Sequence, residues 1–127
     1  VFIPVAVILP SAGDESARLR LTAGVFTVLV VAPIIETLIF QKIMYALLTR
    51  SVYFQRRRWM LIFVSSLLFG AWHFDSVSHV LMATISGVVL MYVYVYYLPN
   101  YNRAFWSTVI IHFAHNMTTF LVMKYLL

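Results

Sequence analysis

Five polar side chains lie inside apolar runs of this sequence: Glu36, His73, His112, His115 and Asn116. An ionisable group in the middle of a membrane span costs ~2.5–3.5 kcal/mol on insertion scales, so where one is kept it usually has a task. A glutamate and a histidine can together take a proton from water. A second histidine and an asparagine amide can donate hydrogen bonds to a developing oxyanion. That set suits peptide-bond hydrolysis by an activated water, with Glu36, His73, His112 and Asn116 as the candidate residues. The chain has no cysteine. A thiolate nucleophile, a disulfide framework and a cysteine-ligated metal are thereby excluded. Ser65, Ser66, Ser86 and Ser107 read as packing and backbone-bonding residues of membrane helices. Histidine and carboxylate also suit zinc, and Glu36, His73 and His112 would be its ligands. No HExxH spacing supports that choice, and the expectation is catalysis without a cofactor.

Depth tests whether these residues can meet. Glu36 lies 14 residues from Arg50, and His73 lies 14 from Trp59. At 1.5 Å per residue each is ~21 Å from the arginine-rich border. His112 and Asn116 lie nine and thirteen residues beyond Arg103, or ~13 and ~20 Å deep. Three separate helices therefore carry polar groups to overlapping depths. His112 and Asn116, four apart, share one helix face, and His115 falls on its flank.

The elements that must position these residues follow from composition. The 127 residues are 63% hydrophobic and only 10% charged. A soluble domain is nearer half apolar and a quarter charged. A soluble globular domain, a disordered tail and a nucleic-acid reader are excluded. The expected fold is all-α: a polytopic transmembrane helix bundle forming a single domain over residues 1–127. Four full spans are predicted at about Leu21–Leu48, from Trp59 through His73, from Val77 to Tyr97 or Leu98, and from Ala104 to about Leu127. Val1–Pro10 reads as a partial helix, and Ser11–Arg20 as a loop or interfacial segment. A start on Val rather than Met predicts truncation at the N-terminus. Nine Lys and Arg stand against four Asp and Glu, and five of the arginines fall in loops 50–58 and 100–103. That bias places both loops in the cytoplasm. Ala83 and Gly87 form a small-xxx-small step for close helix approach. Asp75 or Ser76 reads as the N-cap of the third span, with His79 near that turn. Pro33 is expected to kink the first span and open room for water.

Three short motifs bear a family resemblance. Ala32-Pro33-Ile34-Ile35-Glu36-Thr37-Leu38-Ile39-Phe40-Gln41 resembles a proline-preceded EExxxR, Phe69-Gly70-Ala71-Trp72-His73 matches FxxxH, and His112-Phe113-Ala114-His115-Asn116 matches HxxxN. In this order they resemble the CPBP family, the CAAX-protease and bacteriocin-processing (Abi) intramembrane proteases. The resemblance implies a glutamate-type endopeptidase, described in older accounts as a metalloprotease. It implies Glu36 as general base, His73 as its assistant, and His112 with Asn116 at the oxyanion. Its substrate would be a peptide or protein with a membrane-associated segment, its surroundings membrane lipids, and its place an integral position in a bacterial cytoplasmic membrane.

Two positions depart from the pattern. Thr37 stands for the second Glu and Gln41 for the Arg. They are i and i+4 neighbours, and a buried ion pair exchanged as a unit can be near neutral. The expectation is a structural pair whose loss leaves Glu36 competent. The alternatives are a non-catalytic bacteriocin-immunity or scaffolding protein that keeps the cavity, and a proton-coupled transporter component using the same Glu and His.

Overall fold

The computed structural model describes residues 15–126. The expected partial helix Val1–Pro10, the first residues of the Ser11–Arg20 stretch, and Leu127 lie outside them. Among the described residues every element is a helix. The first, α1, covers residues 15–48 as Glu15–Phe26, Thr27–Val31, Ala32–Thr37, Leu38–Ile43 and Met44–Leu48 in unbroken succession. Among the described residues it is already helical at Glu15, ahead of the expected Leu21, so residues 15–20 are helix rather than loop. Glu, Ala, Arg and Leu are good helix formers. The charges there mark where the helix leaves its apolar stretch, not where it begins.

Two segments of α1, Thr27–Val31 and Leu38–Ile43, are π-helical, with the Ala32 amide donating to the Thr27 carbonyl and the Met44 amide to the Ile39 carbonyl. Pro33 sits just after the first. Proline has no amide proton, and its ring crowds the carbonyl four residues back. The wider turn before it lets the helix continue through Pro33 without ending.

A short helix α2, Val52–Arg56, lies within the arginine-rich loop. The Gln55 side-chain amide donates to the Thr49 carbonyl at 2.6 Å and ties α2 to the end of α1. Three helices complete the fold: α3, Arg58–Trp72; α4, Val77–Tyr97; and α5, Tyr101–Tyr125. Ser76 is the N-cap of α4, its hydroxyl accepting the His79 amide at 3.1 Å. Asn100 caps α5 by accepting the Arg103 amide, so α5 starts three residues before the expected Ala104.

Two described helices are long and apolar enough to cross a membrane, one within Arg18–Leu48 and the other Val77–Tyr97. The four spans expected from sequence are therefore two by this measure. α3 has 15 residues, about 22 Å of helix, because the chain leaves helical geometry at His73. The apolar run of α5 is diluted by Arg103, His112, His115, Asn116 and Lys124.

Helices α3 and α4 approach closely through two glycines. A methyl on Gly87 would stand 3.1 Å from a Phe69 ring carbon and 3.2 Å from the Ser66 Cα. A methyl on Gly70 would collide with the Thr84 hydroxyl and stand 2.9 Å from the Val80 carbonyl. Small residues of this kind let membrane helices meet backbone to backbone. One apolar cluster, of Leu61, Met91, Tyr94, Val95 and Ala104, fills the end nearest the arginine loops. A second, of Phe40, Phe69, Ala83 and Leu90, lies beside the polar residues. Outside, Trp59, Phe74, Ile85 and Ile110 are each more than 60% exposed.

Candidate active site

Glu36 lies on the short α-helical stretch between the two π segments of α1. Its Oε2 is 3.2 Å from Nε2 of His112, on α5. The imidazole is buried and the carboxylate nearly so. Glu36 Oε2 and His112 Nδ1 have no hydrogen-bond partner among the described residues. Buried polar atoms without partners are uncommon, and they concentrate where a group serves chemistry or binds water.

Asn116, one turn further along α5, donates its side-chain amide to the Val28 carbonyl at 3.1 Å. Val28 belongs to the first π segment. A wide turn disturbs the i→i−4 ladder and leaves carbonyls to be met from elsewhere. The asparagine does so here, which fixes its amide end. An Asn amide nitrogen has two protons, so one donor remains after this bond.

His73 stands just past the end of α3, with φ −98° and ψ 56°. Its Nδ1 bonds the Phe69 carbonyl at 2.8 Å. A carbonyl only accepts, so Nδ1 holds the proton and Nε2 the lone pair. Phe69 packs on both histidines, its ring centroid 4.8 Å from that of His73 and 5.9 Å from that of His112. One phenyl ring thus spaces the two imidazoles.

A cavity of about 270 Å³ opens between α4 and α5, with His73, His112 and Asn116 in its wall. Glu36 is not a wall residue; its carboxylate meets this space through His112. The structure therefore sets Glu36 against His112, while His73 and His112 line one cavity with Phe69 packed on each. His115, expected to support the site or face another helix, lines the same cavity, its Nε2 3.3 Å from the Ser86 hydroxyl. Among the described residues no group of three or more His, Asp or Glu is arranged to hold a metal ion.

The sequence reading named Asp75 and His79 at the turn before α4 but not the contact between them. His79 lines the cavity, and its Nδ1 lies 2.5 Å from Asp75 Oδ1. The hydrogen bond from His79 holds the exposed Asp75 carboxyl below its ordinary range. Their i,i+4 spacing was the available signal. Thr37 and Gln41 are both fully buried, yet Thr37 Oγ1 and Gln41 Oε1 have no hydrogen-bond partner among the described residues. The two side chains do not replace an ion pair with a hydrogen bond to each other.

Residues 18–118 match the family model for type II CAAX prenyl endopeptidase Rce1-like proteins. The chain belongs to the Rce1-like family. This is the relationship that the motifs at Glu36, His73 and His112 point to. No curated protein and no solved structure matches the chain. The Rce1-like family is one of proteases, and with the two apolar helices it makes this chain a membrane protein. All three polar motifs fall inside the matched segment.

Proposed function

We propose that this Rce1-like protein is an intramembrane endopeptidase that hydrolyses a peptide bond with water activated at Glu36. The observation that carries the reading is the 3.2 Å approach of Glu36 Oε2 to His112 Nε2, which joins α1 and α5 at a buried polar site. In the proposed reaction Glu36 takes a proton from water as the oxygen attacks the substrate carbonyl. His73 assists through Nε2, the nitrogen left basic by the Phe69 bond. His112 and the remaining amide proton of Asn116 donate to the oxyanion. The carbon–nitrogen bond then breaks and the proton held by Glu36 passes to the leaving amine. No cofactor enters these steps.

The family points to a prenylated CAAX-type peptide as the first substrate class to try. Its apolar anchor would share the bilayer with the protein, while the scissile bond reaches the cavity between α4 and α5. We place α1, α3, α4 and α5 as four spans, with the loops around Arg50–Arg58 and Asn100–Arg103 on the cytoplasmic side of the host membrane.

The test is incubation of the purified protein with prenylated and unprenylated peptide pools, read by mass spectrometry. Glu36→Gln should lower cleavage by about 10²–10⁴-fold while leaving thermal unfolding unchanged, and a chelator should have no effect. A folded Glu36→Gln variant that cleaves like the wild type overturns the reading. Loss of cleavage on chelation overturns its metal-free form.

A further inference from the structure

We propose that Asp75 and His79 are positioning residues that hold the His73 imidazole in place for the reaction; the inference rests on the hydrolytic reading above. The need arises from backbone geometry. His73 lies beyond the last residue of α3, in the turn leading to α4, so no continuing helix fixes its side chain. The Phe69 carbonyl sets one ring nitrogen. A single hydrogen bond leaves the ring free to tilt about it, and a second support must come from elsewhere.

His79 supplies that support from the first turn of α4. Its ring packs edge-on against His73 with centroids 5.1 Å apart and planes at 63°. His79 is itself held twice. Its backbone amide donates to the Ser76 hydroxyl at 3.1 Å, and its Nδ1 meets the Asp75 carboxylate at 2.5 Å. Asp75 sits on the exposed side of the turn, and both imidazoles line the cavity. A line of contacts thus runs from an exposed carboxylate through one buried-side imidazole to the next. It closes the turn between α3 and α4 on itself and wedges His73 between Phe69 and His79. The Asp75 carboxylate selects the His79 tautomer, and the His79 ring fixes the tilt of His73. A group held this way keeps its lone pair on target, and misplacement by about 1 Å can cost 10²-fold in rate.

The roles separate by kinetics. On a peptide cleaved by the wild type, Asp75→Asn and His79→Ala should each lower kcat by about 10–10²-fold with KM within about twofold. In a His73→Ala background, His79→Ala should cost nothing further, because its effect passes through His73. An undiminished loss in that background overturns the proposal, as does a raised KM with unchanged kcat, which would make His79 a substrate contact. Thermal unfolding in the same detergent identifies a variant that fails to fold; the exposed position of Asp75 makes Asp75→Asn the safer of the two.

A second readout needs no turnover. Nitrogen and ring-proton NMR of histidine-labelled protein should show His73 as one sharp set of signals protonated at Nδ1, and in His79→Ala those ring signals should shift and broaden as the ring loses its fixed tilt. Unchanged His73 ring signals in His79→Ala overturn the proposal. Should the wild type cleave no peptide, the hydrolytic reading fails, and the NMR experiment still decides whether His79 orders His73.

Discussion

Thr37 and Gln41 are the residue-scale puzzle of this chain. Both are fully buried, and each keeps an oxygen without a hydrogen-bond partner. Restoring the family pattern one residue at a time should be harmful. Gln41→Arg alone places an uncompensated charge in the core and should destabilise by about 3–5 kcal/mol, whereas the Thr37→Glu/Gln41→Arg double exchange should return most of that loss. Equilibrium unfolding of the three variants in one detergent gives the comparison. Asn116→Leu should loosen the α1–α5 contact, since the Val28 carbonyl loses its donor, at a cost of about 1–3 kcal/mol. The Asp75 carboxyl, held below its ordinary range by His79, gives a pH test. A depressed acid lends stability above its unfolded pKa and loses it only as the pH falls through the lowered folded value. The turn should therefore hold through the neutral range and slacken only in strong acid, as amide exchange of the His79 backbone can follow; Asp75→Asn should abolish that acid step. Residue types alone put Glu36, His112 and Asn116 forward as a set, because ionisable and amide side chains stand out in apolar runs. The Asp75–His79 tie was not legible, since an aspartate ahead of a helix reads first as a cap, a role that Ser76 fills.

The helices themselves could be read from the apolar runs, because a lipid-facing chain must satisfy every backbone group within its own segment. Their ends could not. Asn100 moves the start of α5 to Tyr101, because a polar Pro-Asn-Tyr-Asn-Arg stretch reads equally as a turn or as a capped first turn of helix. The π segments of α1 were also hidden, since one extra residue per turn leaves no mark in side-chain hydropathy. The small-xxx-small step was readable in principle, and Gly87 carries its weight against Phe69 and Ser66. Gly87→Leu should cost about 1–3 kcal/mol by overpacking the α3–α4 seam. Gly24 is the natural control, with nothing within 4 Å of an added methyl. Gly24→Ala should be neutral or stabilise by about 0.5–1 kcal/mol, the ordinary gain of alanine in a helix. Thermal unfolding of both variants tests whether the seam, rather than glycine content, limits stability.

At the scale of the whole molecule the apolar surface faces outward and the polar groups turn inward. Ile85 is well exposed on that surface, and Ile85→Arg should reduce membrane insertion by an amount near 2.5–3.5 kcal/mol, read as the share of protein recovered in the membrane fraction. The lack of native cysteine makes topology directly testable. A single cysteine introduced at Gln55 should react with an impermeant maleimide only from the arginine-loop side, and one at Ser76 only from the other. The bond between Asn116 and Val28 joins positions 88 residues apart. A ribosome adding ~5–20 residues per second makes the first partner several seconds before the second. Through most of that interval the growing chain already carries Glu36 but not yet the His112 that stands beside it. On the hydrolytic reading proposed above the chain is born silent, and it cuts no neighbouring nascent chain until α5 has been made and has docked.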